Sequence, residues 1–256
     1  MGMKLFKIRA SQLHRIMGKP KDSGGLTAKQ AETLKDLIAK GSKSKQVQEL
    51  TEKRDRPEGL SAGAKTYCKE WLRSEKLNRY PEISNKYLEK GNLCENQAIR
   101  LLNDVYLESY EKNTVREENE YMTGECDILA KPVIRDTKCS WGVNSFPMFD
   151  EKPPSDYVYQ IQQYLILYDC SIGYVDFVLV DTPHHLIINE AKRIAFRENR
   201  DLDEVIQEQM QKNTYGDIKP ELRVKSFEVS RDYELGPRIK EKVQLCRDYI
   251  KKLENE

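Results

Sequence analysis

The sequence has no long hydrophobic run, no paired cysteines, only three histidines and almost no net charge. Its longest apolar stretches, such as Phe177-Val178-Leu179-Val180, are a few residues long, so nothing in it is built to span a bilayer. The opening Met-Gly-Met-Lys-Leu-Phe-Lys-Ile-Arg lacks the apolar core of a secretion signal, which predicts a cytoplasmic protein without membrane contact. The six cysteines (Cys68, Cys94, Cys126, Cys139, Cys170 and Cys246) form no C-x-x-C pair, and the histidines lie apart from them. Zinc ribbons, iron–sulfur clusters and thioredoxin-like chemistry therefore lose support, and reduced, packed thiols are expected. No Gly-x-x-x-x-Gly-Lys-Ser/Thr segment is present, so a nucleotide-driven motor is not expected either.

What the sequence does hold is charge of both signs, 43 Lys and Arg against 42 Asp and Glu in 256 residues. The distribution is uneven. Residues 1–60 carry 14 basic and 7 acidic residues, net +7, leaving 29 against 35, net −6, for the rest. A basic segment ahead of an acidic body fits a phosphate-facing arm and fits a solvated helical hairpin equally well.

Helical signals fill the first third. Ser11 reads as a cap for a short helix ending at Gly18. Thr27-Ala-Lys-Gln30 is a capping-box pattern ahead of Ala31, Leu34, Leu37 and Ile38, with a stop at Gly41. Ser61 begins another helix with Ala64, Tyr67, Trp71 and Leu72 on one side, and Ser84 opens a longer one through Tyr106. The period then changes. Residues 107–118 alternate weakly, 121–130 and 132–140 read as strands around a turn at Lys131-Pro132, and 172–181 is dense in β-branched and aromatic residues. A helix is predicted from Ser155 to Tyr168, helical stretches after Pro183, a strand at 223–230 and a final helix over 233–253. The pattern predicts one mixed α/β domain over 1–256: a helical basic part (1–83), a core (84–182) and C-terminal helices with one further strand (183–256).

Within the core, acids occupy unusual positions. On a strand, Asp136 and Lys138 share a face with Ile134, where a half-buried strand ordinarily places apolar groups. A hairpin brings Asp127 toward Asp136, and on the preceding helix Glu95 lies three, four and seven residues before Ala98, Ile99 and Leu102, beside the apolar stripe. With the Thr137 carbonyl these acids offer hard oxygen ligands suited to Mg²⁺ or Mn²⁺. Lys138 then stands where it can orient a water or stabilise charge on a phosphate. Gln160 and Tyr164, four apart on the following helix, share a face. Each piece alone also fits an ordinary protein: Glu95 as a boundary residue, Asp127 as a turn residue, Gln160 and Tyr164 at a core edge. Order and context give the set its force.

Taken together, Gly91-Asn-Leu-Cys-Glu95-Asn-Gln-Ala98, Gly124-Glu-Cys-Asp127, Asp136-Thr-Lys138-Cys139 and Tyr157-Val-Tyr-Gln160-Ile-Gln-Gln-Tyr164 resemble the PD-(D/E)xK nuclease superfamily. The resemblance runs over about residues 4 to 182 and is to exonucleases of the phage lambda-exonuclease/YqaJ type, with the RecB nuclease domain as a cousin. It implies a restriction-endonuclease-like α/β core with a small mixed sheet flanked by helices, and Mg²⁺-dependent hydrolysis of DNA, with Mn²⁺ able to substitute. By match, Glu95, Asp127, Asp136 and Thr137 hold the metal, Lys138 is the catalytic lysine, and Gln160 and Tyr164 position the site and DNA. Ile8-Arg9-Ala10-Ser11 resembles the family's opening motif, which makes Ser11 a candidate ligand of a terminal 5′-phosphate, with Arg9 and Lys4 as nearby cations. Ser11 also suits a plain helix cap, and helix starts bind phosphate readily.

The sequence departs from the family at Cys126, which replaces the proline of its name, and at Glu125, which stands where some relatives carry a small hydroxyl residue facing phosphate. The resemblance implies a duplex-trimming exonuclease acting 5′ to 3′ in phage-type recombination or repair, with a single-strand annealing protein as partner and homo-oligomers within the family's range. A structure-specific endonuclease and a catalytically silent DNA-binding scaffold are the alternatives. His184 and His185 read as ordinary residues at a helix start, and the 14 tyrosines form no stripe.

Overall fold

The computed structural model describes residues 4–18, 26, 28–55, 59–81 and 85–255. Strand β1 (Ile8–Arg9) leads through a 3-10 turn (Ala10–Gln12) into α1 (Leu13–Met17), followed by α2 (Ala28–Ala39), α3 (Lys45–Asp55), α4 (Ala62–Leu77) and α5 (Lys86–Tyr106). Short strands β2 (Glu117–Glu118), β3 (Met122–Gly124) and β4 (Ile128–Ala130) precede the long β5 (Val133–Cys139). Helix α6 (Ser155–Leu167), β6 (Ile172–Val178), α7 (His184–Glu198), α8 (Leu202–Lys212), β7 (Val224–Ser230) and α9 (Leu235–Glu254) complete the chain. This is the mixed α/β class that the sequence predicts. It divides into two compact units, one of residues 1–6, 14–80 and 237–256, the other of residues 7–13 and 81–236.

In the helical unit, Ser61 caps α4 by accepting from the Ala64 amide, as its position in the sequence predicts. Phe6 meets Tyr67 and Trp71 edge-on, with ring centroids 6.1 and 5.2 Å apart. Arg247 Nε donates to the Phe6 carbonyl at 3.1 Å, which fixes the C-terminal helix to the entering chain. Thr27 and Ser84 lie outside the described residues. The cap of α5 is Asn85, whose Oδ1 accepts from the amides of Tyr87 and Leu88. Ser11 is not a cap. It lies inside the 3-10 turn, whose cap position belongs to Arg9, with no side-chain bond there.

The second unit contains two sheets, β1-β3-β2 and β4-β5-β6-β7. The strand predicted over 121–130 is broken, with Glu125–Asp127 between β3 in one sheet and β4 in the other. Asp127 is held there by side-chain bonds to β5 and by a backbone bond to the chain ahead of β2. The Asp127 carboxylate accepts from the Thr137 amide and hydroxyl, and its carbonyl accepts from the Asn113 amide. Strand β5 runs antiparallel to β4 and parallel to β6, pairing Asp136 with Val175 and Lys138 with Phe177. One face of this sheet packs Ile134, Val175 and Phe177 under Ile161 and Leu165 of α6; another cluster packs Ile128 and Val178 with Ala98, Ile99 and Leu102 of α5.

Gly173 makes the seat for α6. A Cβ added there would run into Ile161 Cγ2 and lie 3.2 Å from Ile134 Cγ1, both in fully buried side chains. Gly173→Ala is therefore expected to destabilise the protein by about 1–3 kcal/mol. Urea unfolding checks this, and an unchanged midpoint would show that α6 rests on the sheet less tightly than described.

Candidate active site

Alternation along β5 sends Asp136 and Lys138 toward α6, and Arg135, Thr137 and Cys139 to the opposite face. Asp136 is 2 % exposed. Its Oδ1 accepts from Gln160 Nε2 at 3.1 Å, and the same amide donates to the Tyr164 hydroxyl at 2.9 Å. Its Oδ2 is paired with Lys138 Nζ and has no other partner among the described residues. Asp136, Lys138, Gln160 and Tyr164 thus form one connected group, and Asp127 joins it through the Thr137 backbone on β5. Burial pushes the Asp136 carboxyl up to about 7, a rise that Lys138 opposes and Asp127 adds to. Burial alone would lower the Lys138 ammonium, but Asp136 and Asp127 outweigh it and hold its pKa above the ordinary value.

Glu95 lies farther along the same acidic rim. Its Oε2 accepts from Lys112 Nζ at 2.7 Å, and the fields of Asp127 and Glu125 also act on that ammonium. Among the described residues, no three His, Cys, Asp or Glu side chains stand together in a ready metal cage. The donor chemistry nevertheless fits a hard divalent cation. Asp136 Oδ2 is a buried carboxylate oxygen whose one partner among the described residues is the Lys138 ammonium, and a second lysine ammonium, Lys112, stands among the neighbouring acids.

The extra acid at Glu125 is accounted for. It pairs with Arg116 at 3.2 Å, which offsets its charge. Cys126 is packed in the core beneath the site, where burial pushes its thiol up to about 12.

The segment carrying Arg9 and Ser11 is fixed from α6. Gln163 Nε2 donates to the carbonyls of both Ile8 and Thr123 at 3.0 Å, joining β1 to β3 three residues beyond Gln160. Gly124 allows the close approach, since a Cβ there would fall 2.8 Å from the Tyr164 ring and 3.2 Å from Ala10. Arg9 and Ser11 are exposed on this segment, and Lys4 is exposed in the helical unit.

Three residues of the site escape sequence reasoning. Tyr157 places its ring 4.9 Å from Lys138 Nζ. Gln163 reads in the sequence only as one more polar residue on α6. Lys90, on α5, is fully buried and donates to the carbonyls of Ser140 and Trp141 at 2.7 and 3.2 Å, tying the chain just beyond β5 to the helix that bears Glu95. A lysine beside an apolar stripe gives no signal that separates this from a solvated position.

No protein-family model and no curated protein matches this chain. Among solved structures it is similar over its whole length to a phage-related exonuclease from Haemophilus somnus 129PT, with 31 % identity and a TM-score of 0.71, covering 98 % of this chain and 96 % of that one. The fold is shared with an alkaline exonuclease from Laribacter hongkongensis at 14 % identity and a TM-score of 0.54, covering 98 % and 93 % of the two chains. The same enzyme solved in complex with dAMP gives 14 % and 0.52, over 96 % and 89 %.

Lys90 yields a pH test. Burial lowers its pKa to about 8, opposed by Cys139 on β5, Cys94 on α5 and Asp181 beyond β6. The unfolded chain keeps this proton up to about 10.5, so between those values the unfolded state binds more protons and stability rises with pH. Wild type is expected to gain on Lys90→Met as pH goes from about 8 to about 10.5, by at most about 3 kcal/mol. Denaturant midpoints of the two proteins across that range check it; a constant difference would mean that Lys90 is not held in a desolvated site.

Proposed function

The chain belongs to the phage lambda-exonuclease/YqaJ type of PD-(D/E)xK nucleases, and from that membership we propose a metal-dependent exonuclease that hydrolyses phosphodiester bonds from a DNA end. The single observation that carries this reading is the buried Asp136–Lys138 pair on β5, joined by Gln160 and Tyr164 from α6 and by Asp127 through Thr137. A buried ion pair seldom repays its desolvation by its own attraction, and this one faces α6 beside further acids. The proposed substrate is the 5′-ended strand of duplex DNA, degraded 5′ to 3′ in recombination or repair of the phage type. Ser11 and Arg9 receive the terminal phosphate, an assignment supported by their exposure on the segment that Gln163 binds to the core.

Asp136, Asp127, Glu95 and the Thr137 carbonyl would hold Mg²⁺ or Mn²⁺, with Glu95 released from Lys112 to do so. When bound, such a cation supplies Lewis-acid charge beside the phosphate and favours deprotonation of water. The protein's own groups do the positioning. Gln160 holds Asp136 Oδ1, so the carboxylate plane is set by α6. Lys138, kept protonated by its acidic neighbours, faces the charge that grows on the phosphoryl oxygens as water attacks phosphorus. The bond from phosphorus to the 3′-oxygen breaks opposite the attacking oxygen, and the leaving oxygen takes a proton from solvent. No side chain here serves as a covalent nucleophile: Cys126 and Cys139 are held as thiols by burial, each with its pKa raised to about 12.

The test is a cleavage assay on linear duplex, nicked circle, closed circle and single-stranded DNA, with Mg²⁺ or with chelator, using separate 5′ and 3′ labels. The expected result is metal-dependent loss of linear duplex from its 5′ ends. Lys138→Ala and Asp136→Asn should lose at least about 100-fold in rate while remaining folded, and Arg9→Glu should weaken DNA binding and flatten its salt dependence. Normal cleavage by Lys138→Ala would sink the assignment. Cutting of closed circles would identify an endonuclease, and a folded protein inert with both metals would be a binding scaffold.

A further inference from the structure

Beyond the end of β5, the chain that Lys90 anchors opens into a cleft that the proposed hydrolysis does not use. Its volume is about 640 Å³, within the range of small-ligand sites. Tyr87 and Trp141 form one wall, their rings 6.0 Å apart at 72° to one another. Tyr87 is 57 % exposed, a large aromatic surface left in solvent at the mouth of a cavity. Asn144, Gln209 and Thr214 are among the other lining residues, the Thr214 hydroxyl donating to the Met210 carbonyl at 3.0 Å, and the Tyr215 hydroxyl donates to the Trp141 carbonyl at 3.3 Å.

The charged residues that line the cleft are Lys212 and Asp217, and Lys212 is paired with Glu208; Lys86, outside the lining, lies 4.6 Å from the Trp141 ring centroid and is paired with Glu190 at 2.7 Å. A site for phosphate alone would show unspent cations. This one offers π surfaces for stacking together with neutral groups that both donate and accept, which is the complement of a nucleobase, whose faces stack and whose edge carries donors and acceptors.

Its position is fixed by the same two elements that carry the acids. Trp141 follows Lys138 by three residues, so their Cα atoms are no more than about 11 Å apart. Tyr87 precedes Glu95 by eight residues on α5, about 12 Å along the helix. We propose that this cleft binds an unpaired base of the DNA strand being cut, stacked against Tyr87 and Trp141 and met at its edge by Asn144 and Gln209. The inference rests on the nuclease reading and adds to it a base-stacking subsite beside the scissile phosphate. It makes the enzyme a reader of locally unpaired strand rather than of intact duplex alone.

The chain has two tryptophans, so Trp71→Phe leaves Trp141 as the only one, and phenylalanine preserves an aromatic ring against Phe6. In that background, with Lys138→Ala added to stop cleavage and Mg²⁺ present, short oligothymidylate is expected to quench the Trp141 emission. An abasic deoxyribose-phosphate oligomer of equal length and charge should bind at least tenfold more weakly, because it brings phosphate without bases. Adding Tyr87→Ala, at an exposed position whose loss leaves the core untouched, should weaken oligothymidylate about tenfold. Equal quenching by the abasic oligomer, no quenching at all, or no effect of Tyr87→Ala would each overturn the subsite. Cleavage of linear duplex by the Trp71→Phe chain, run alongside, separates the two readings. Cleavage without quenching removes the subsite alone, whereas quenching without cleavage keeps the subsite and removes the nuclease.

Discussion

A carboxylate at the centre of a packed strand pair is the constraint around which the second unit is built. Asp136 sits in the middle of β5, paired with Val175 of β6 and one residue past the last β4 pairing at Arg135, and at 2 % exposure water does not satisfy it. Left alone it would take a proton and lose its charge. The fold supplies what keeps it usable: Lys138 two residues on, and the Gln160 amide from above. Those two groups have to be delivered to the same few ångströms, and much of the architecture follows from that delivery. Gly173 lowers α6 onto the sheet, Gly124 admits Tyr164, and the break between β3 and β4 frees Asp127 to grip Thr137.

The opposite face of the same strand carries the counterweight. Arg135 makes a two-pronged ion pair with Asp176 at 2.7 and 2.8 Å, with Ser226 on the same carboxylate. Tyr174, Tyr106 and Tyr110 surround the guanidinium, its carbon 4.3, 4.9 and 5.2 Å from their ring centroids. Removing one partner of such a pair strands a buried charge and costs about 3–5 kcal/mol. This pair therefore fixes the lateral register of β5 against β6 and β7, and with it the height at which Asp136 and Lys138 meet α6. A rigid, fully satisfied ion pair on one face permits an incompletely satisfied one on the other, which is the condition for chemistry there.

This division explains what was legible in the sequence. Alternation on β5 exposes Asp136 and Lys138 as misplaced on an apolar face, and the four-residue spacing places Gln160 and Tyr164 together on α6; both follow from local geometry. The mixed α/β class follows from the change of period after Tyr106. The break at Glu125–Asp127 does not, because what ends the strand is a bond from Asp127 to Thr137, ten residues away, that no local propensity encodes. Ser11 fails as a cap for a related reason: β1 pairs with β3, and that pairing, held by Gln163, decides where the following turn begins. Lys90 is invisible in the same way, since its partners are two backbone carbonyls fifty residues downstream.

Glu95 shows how far the described geometry carries the active-site reading. It stands on α5 beside the sheet, as its place next to the apolar stripe suggests, yet it is engaged by Lys112 rather than gathered with Asp136. The arrangement follows from charge: Glu95, Asp127 and Glu125 all act on Lys112, and its ammonium offsets the repulsion among them. The Lys112 side chain is 42 % exposed, so its pair with Glu95 is open to screening by salt, whereas the buried Asp136–Lys138 pair is largely shielded from it.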